Sequence, residues 1–131
     1  MIFAEYHGHI LEKLFVLVGF VIAIEGAMLN YWADHILISI RKGVAKKEQE
    51  HNYQIPMGIP FQLISCPNYL GEITMWTGFA LAFRTVSLVI TLVAVCANLI
   101  PRALQTHKWY LEQFGDKYPR NRRHALIPFV I

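Results

Sequence analysis

The chain is short of charge, and the charge it has is unevenly placed. Only 16% of its 131 residues are Asp, Glu, Lys or Arg, while 55% are hydrophobic. Of the 12 Lys and Arg residues, Arg41, Lys42, Lys46 and Lys47 form one cluster, Arg102, Lys108, Lys117, Arg120, Arg122 and Arg123 lie in the last third, and only Lys13 and Arg84 fall elsewhere. Nucleic-acid binding would account for basic clusters but not for the apolar runs between them. Charge that orients membrane spans accounts for both, so no nucleic-acid partner is expected. There are only two cysteines, Cys66 and Cys96, with no second pair. That suggests neither a disulfide framework nor a zinc site, and no metal is expected. No Gly-x-Gly-x-x-Gly occurs, so a dinucleotide would not be held in a Rossmann site. No basic region precedes the first apolar run, and Glu25 interrupts that run, so that run is not expected to be a signal peptide. No Ser/His/Asp or Cys/His set stands out among the six scattered histidines.

Two apolar runs are present. Residues 14–33 match a membrane thickness at about 1.5 Å per residue. The second run, residues 73–100, is too long for one untilted span and short for two full ones. Arg84 and Thr85 lie inside it and read as a tight turn, with Arg84 at the far interface, where its stem can snorkel to water. A single tilted helix with Arg84 at mid-membrane is the rival reading. The expected fold is an all-α integral membrane protein, one domain over residues 1–131. Its expected spans are about 12–34, 67–83 and 86–111, joined by a cytosolic loop at about 41–62 and followed by a short cytosolic cap at about 112–131. The stretch Glu5-Tyr6-His7-Gly8-His9 has no Lys or Arg, whereas 41–47 is basic. The positive-inside bias therefore places the N-terminus outside or in the lumen. Three spans return the tail, with its own basic cluster, to the cytosol.

Polar residues gather at the expected cytosolic ends. Pro67 suits the first turn of a helix, where its missing N–H would have no partner anyway, and Ser65 can cap that start. Asn68 and Glu72, four apart, share a face of that helix. Asn30, Asp34 and Arg41 fall within roughly 40° of one face of the first helix, and Glu25 falls on about the opposite face. On the third, Arg102, Thr106 and Tyr110 climb in steps of four past Pro101. Arginines beside amides, carboxylates and a tyrosine suit a phosphate-bearing, hydroxyl-rich ligand. From composition alone, however, ordinary helix-end caps and snorkels explain these residues better.

Ordered motifs change that balance. Asn30-x-x-x-Asp34-x-Ile36-Leu37-x-x-x-Arg41-Lys42 is followed by Tyr53-x-Ile55-Pro56-x-Gly58. Then come Ser65-Cys66-Pro67-Asn68-Tyr69-Leu70-Gly71-Glu72-x-x-x-Trp76-x-Gly78-x-Ala80, Arg102-Ala103, His107-Lys108-Trp109-Tyr110-Leu111, Phe114, Tyr118-Pro119, Arg122 and Ala125-Leu126-Ile127-Pro128-Phe129. From about Gly26 to its last residue the chain resembles the steroid 5α-reductase (3-oxo-5α-steroid 4-dehydrogenase) family, with Gly115 as a one-residue addition.

The resemblance implies a seven-span membrane oxidoreductase of steroid and lipid metabolism, in the endoplasmic reticulum or a bacterial membrane. Such an enzyme uses NADPH to reduce the C4–C5 double bond of a 3-oxo-Δ4 steroid. For this chain it implies the endoplasmic reticulum membrane, with the site facing the cytosol. A steroid or lipid enone is the expected substrate, and membrane lipid the expected surroundings. Carried over by motif, Asn30, Asp34, Arg41, Asn68, Arg102 and Tyr110 match family NADPH contacts, and Glu72 matches a supporting glutamate at the nicotinamide and substrate end. Thr106 and His107 stand where the family often has histidines. The family's substrate-polarising tyrosine and its partner acid lie in an N-terminal half that has no counterpart here. The chain therefore looks like the cofactor-binding, C-terminal three spans, and alone it is expected to be inactive. Two alternatives remain: a membrane methyltransferase of the isoprenylcysteine carboxyl methyltransferase type, or a non-catalytic membrane fragment. Phe114-Gly115-Asp116-Lys117-Tyr118 fits the methyltransferase pattern, but His107-Lys108-Trp109-Tyr110 replaces the usual Glu pair.

Overall fold

A computed structural model describes residues 2–45, 53–119, 121–128 and 130, with side chains of the first helix described from residue 8 to 43. Lys46, Lys47 and the rest of 46–52, Arg120, Phe129, and the side chains of Glu5, Tyr6 and His7 lie outside the described residues. The described chain is helical: α1 (Ile2–Ala45), α2 (Pro67–Phe83) and α3 (Val86–Phe114), with short 3-10 turns at Ile59–Phe61 and Gly115–Lys117.

Helix α1 extends about ten residues beyond the expected span at either end, because no proline interrupts it. Helix α2 starts at Pro67 as its chemistry suggests, but its cap differs from expectation. Cys66 is the N-cap residue and makes no side-chain cap bond. Ser65 does not cap; its hydroxyl is drawn into a buried contact with the tail, described below. Arg84 ends α2 in the left-handed conformation, φ 51°, and its N–H bonds to the Ala80 carbonyl. Thr85 is extended and starts α3 by accepting the Leu88 N–H at 3.4 Å. Two residues thus reverse the chain, which rules out the single tilted helix. The Arg84 guanidinium lies 5.2 Å from the centre of the Phe15 ring.

Helices α1 and α2 run antiparallel with their backbones in direct contact. A Cβ placed on Gly19 would lie 2.6 Å from the Gly78 carbonyl oxygen, and one on Gly26 would lie 2.6 Å from that of Gly71. No side chain larger than hydrogen fits at these crossings. Ala23, Ala33 and Ala82 continue the small-residue seam and are buried. Close approach of small residues is how apolar helices associate where lipid-like surroundings give no hydrophobic drive.

Helix α3 buries Leu99 and Ala103, and Ala103 packs with Cys66 and Leu126 in a small core. The tail returns to this core through an isolated parallel bridge between Ile64 and His124. Its bonds are Ser65 N–H to His124 O, 2.8 Å, and His124 N–H to Leu63 O, 2.8 Å. Residues Val86–Lys117 are long and apolar enough to cross a membrane, and most of that stretch is exposed. Helix α1 also turns Leu14, Leu17, Val21, Ile24 and Met28 outward.

Candidate functional site

The seam positions the polar residues. Asn30 sits where α1 passes Gly71, since a Cβ on Gly71 would meet the Asn30 backbone. At that crossing Asn30 Nδ2 donates to the Asn68 carbonyl at 2.9 Å, and Asn68 Nδ2 donates to Asp34 Oδ1 at 3.2 Å. Asn30, Asp34 and Asn68 thus form one part-buried node across two helices. Among the described residues, Asp34 makes no ion pair. Its carboxylate is held by an amide and keeps acceptor capacity for a ligand hydroxyl or amide. Glu72 lies one turn further along α2, half-buried. Glu25 lies on an exposed face of α1, away from the node.

Beyond the node a cleft of about 460 Å³ opens between α1, the 53–56 segment and α3. Leu37, Ile40 and Pro56 form its apolar wall, and Arg41, Gln54 and Thr106 supply polar groups. Its aromatic side consists of Tyr53, Trp109 and Tyr110, with Tyr53 edge-on to Trp109 at 5.0 Å and Trp109 edge-on to Tyr110 at 5.2 Å. A cation and aromatic faces in one apolar cleft suit a flat ring linked to an anion.

Arg102 is not brought to this cleft; it is exposed, next to buried Ala103. Steps of four drift by about 40° each, so Arg102 and Tyr110 stand about 80° apart around α3. Thr106 and Tyr110 reach the cleft and Arg102 does not. His107 turns toward the tail instead.

Behind Tyr110 lies a buried cluster. Ser65 Oγ is 2.6 Å from His107 Nδ1 and 2.5 Å from the Tyr118 hydroxyl. The Tyr118 ring stacks on Tyr110 with centroids 5.4 Å apart and planes 6° from parallel, and Phe114 stacks on the same ring at 6.1 Å. The tail therefore fixes the tyrosine that lines the cleft. Burial pushes the neighbouring Cys66 thiol up to about 12, against a weaker lowering by a hydrogen bond to Thr106. That thiol stays protonated and is no nucleophile at neutral pH.

Sequence reasoning missed Tyr53 and Trp109 as cleft residues, and Ser65 and Tyr118 as its support. The first two were visible as an aromatic pair within the quoted motifs. The small-residue seam was visible as Gly19, Ala23, Gly26 and Ala33 in one apolar run and Gly71, Gly78 and Ala82 in the other.

A family model for 3-oxo-5-alpha-steroid 4-dehydrogenase matches residues 1–131. The chain belongs to the 3-oxo-5-alpha-steroid 4-dehydrogenase family. It is 45% identical over 113 residues to steroid 5-alpha-reductase DET2 of Solanum lycopersicum, covering 86% of this chain and 41% of that protein. It is 41% identical over 115 residues to 3-oxo-5-alpha-steroid 4-dehydrogenase 1 of Rattus norvegicus, covering 88% and 42%. The Bos taurus protein of the same name is 36% identical over 129 residues, covering 98% and 48%. The chain thus spans less than half the length of these relatives. The match to an oxidoreductase family over the whole chain does not favour the methyltransferase alternative.

Proposed function

We propose that this chain is the cofactor-binding part of an NADPH-dependent membrane reductase. Its reaction would saturate the C4–C5 double bond of a 3-oxo-Δ4 steroid or a related lipid enone. The observation that carries this reading is that α1 bears both the Asn30–Asn68–Asp34 node and, beginning one turn further on at Leu37, one wall of the Arg41/Tyr110 cleft. Together they offer a carboxylate that pairs with no cation among the described residues, two amides, an aromatic wall and an arginine. These fit the parts of a phosphorylated dinucleotide: Arg41 for phosphate, Tyr53 and Trp109 for a flat ring, Asp34 and Asn68 for hydroxyl or amide groups. When bound, NADPH supplies the hydride. The chain's own residues would bind and orient it, and Glu72, one turn deeper on α2, would stand at the reacting end. Arg102 would act from the rim outside the cleft.

The exposed apolar faces of α1 and α3 support placement in a membrane, with α1, α2 and α3 as three spans. The basic residues at 41–42 and from 102 onward support a site on the cytosolic side, and the family reading points to the endoplasmic reticulum. The groups that would polarise the steroid's 3-oxo oxygen are expected on spans beyond this chain, so this chain alone should not turn over substrate. NADPH should raise the melting temperature of the purified chain in detergent, whereas S-adenosylmethionine should not. Stabilisation by S-adenosylmethionine alone would favour methyl transfer, and stabilisation by neither would favour a non-catalytic fragment.

A further inference from the structure

Arg123 has almost no exposed surface, at 5%, yet its guanidinium is nearly unpartnered. Among the described residues Nε and Nη1 are buried with no hydrogen-bond acceptor, and Nη2 reaches only the Met57 sulfur at 3.4 Å. A thioether is among the weakest acceptors in a protein. Among the described residues no carboxylate pairs with this cation. Its other neighbour is the Tyr118 ring, whose centre is 5.4 Å from Cζ. A cation–π contact leaves the in-plane N–H donors unused. A buried cation in this state is costly unless an anion completes it. The position is telling. Tyr118 stacks on Tyr110 and Met57 follows Pro56, and both Tyr110 and Pro56 line the cleft. Met57 is itself 71% exposed and unbranched, so it is a plug that can swing away.

We infer that Arg123 is a phosphate anchor: its guanidinium, capped by the Met57 thioether, takes a phosphate group of the ligand that occupies the Arg41/Tyr110 cleft. Two arginines from opposite ends of the chain would then meet one anionic ligand. The identity of that ligand as a dinucleotide rests on the function proposed above. The anchor itself rests on a buried charge that no described residue compensates.

The test is ligand binding to the full chain in detergent, with R123Q, R123K and M57A. R123Q should weaken NADPH binding about tenfold or more, the worth of a charge-assisted hydrogen bond. R123K should recover part of the loss, and M57A should not weaken binding. Without ligand, R123Q should melt no lower than the wild type, because it removes an uncompensated charge. Titration with NADH, which has one phosphate fewer, shows which phosphate Arg123 holds: a loss confined to NADPH assigns the extra phosphate, and an equal loss assigns the shared diphosphate. NADPH affinity unchanged in R123Q would overturn the anchor and leave the dinucleotide reading standing. So would a ligand-free R123Q that melts lower and whose weak binding R123K does not improve, which would mark Arg123 as structural. If the wild type binds neither dinucleotide while inorganic phosphate, or vesicles containing phosphatidic acid, protect it in an Arg123-dependent way, the anchor stands and the dinucleotide reading falls.

Discussion

Along the α1–α2 seam the helices meet through Gly19, Ala23, Gly26 and Ala33 on one side and Gly71, Gly78 and Ala82 on the other. At the rim the same two helices meet through Asn30, Asp34 and Asn68, and α3 and the tail add Tyr110, His107, Ser65 and Tyr118. The seam has no side-chain polarity and no spare volume; the rim has both. This division suits a membrane enzyme. Backbone contact among small residues sets the helix spacing rigidly, and at the Gly26–Gly71 crossing that spacing brings Asn30 and Asn68 within hydrogen-bond reach. The rim can then be wet, polar and open to a ligand without having to hold the helices together.

If the seam carries the fold, changes there should be the most damaging. Gly26→Leu or Gly78→Leu should destabilise by about 3 kcal/mol or more, since neither backbone can yield. Gly8→Leu, at a position with open space around it, should change little. Thermal melts of the three variants by circular dichroism check this.

A smaller cost and a larger loss of binding are expected at the node. Asn68→Leu leaves Asp34 without its amide and should cost about 1–3 kcal/mol. It should also weaken NADPH binding at least about tenfold, as read by titration calorimetry. If stability fell as far as in the glycine variants, the division between seam and rim would be wrong.

Ser65→Ala separates the tail from the rest. It strips His107 Nδ1 and the Tyr118 hydroxyl of a shared partner, at a cost of about 1–3 kcal/mol. Amide exchange should quicken first around residues 118–126, while the α1–α2 seam keeps its protection.

The smallest effect concerns Cys66. Its thiol is raised from 9.0 to about 12, so the neutral form is favoured in the fold. The stability tied to its burial is complete below pH 9 and is lost as the pH rises from 9 toward 12. At pH 8 its thiolate fraction should be roughly a thousandfold below that of an exposed cysteine. Iodoacetamide should therefore leave Cys66 unlabelled in the folded chain and label it in denaturant.

Much of the scaffold is legible in the sequence. The apolar runs, Pro67, and Arg84 with Thr85 give α2 its bounds and fix the turn into α3. Two kinds of feature are less so. Ser65 stands where a helix cap belongs, and local propensity favours that role. The tail is 53 residues away from it in sequence, and its Tyr118 hydroxyl competes for Ser65 more strongly once both are buried. Arg102 continues a fourfold spacing with Thr106 and Tyr110, but a helix turns 3.6 residues, and over two steps the drift carries it off the cleft. Arg123 looks like one more basic tail residue; only the fold reveals that it is buried without a counter-charge among the described residues.

Whether the node and cleft hold NADPH is read directly from the melting temperature of the purified chain in detergent as NADPH is added. At a concentration one hundred times the dissociation constant, binding should stabilise the chain by about 2.7 kcal/mol, and Asp34→Asn together with Asn68→Leu should abolish the shift. No shift with NADPH, or an equal shift in that double variant, would mean that the node and cleft do not hold the dinucleotide.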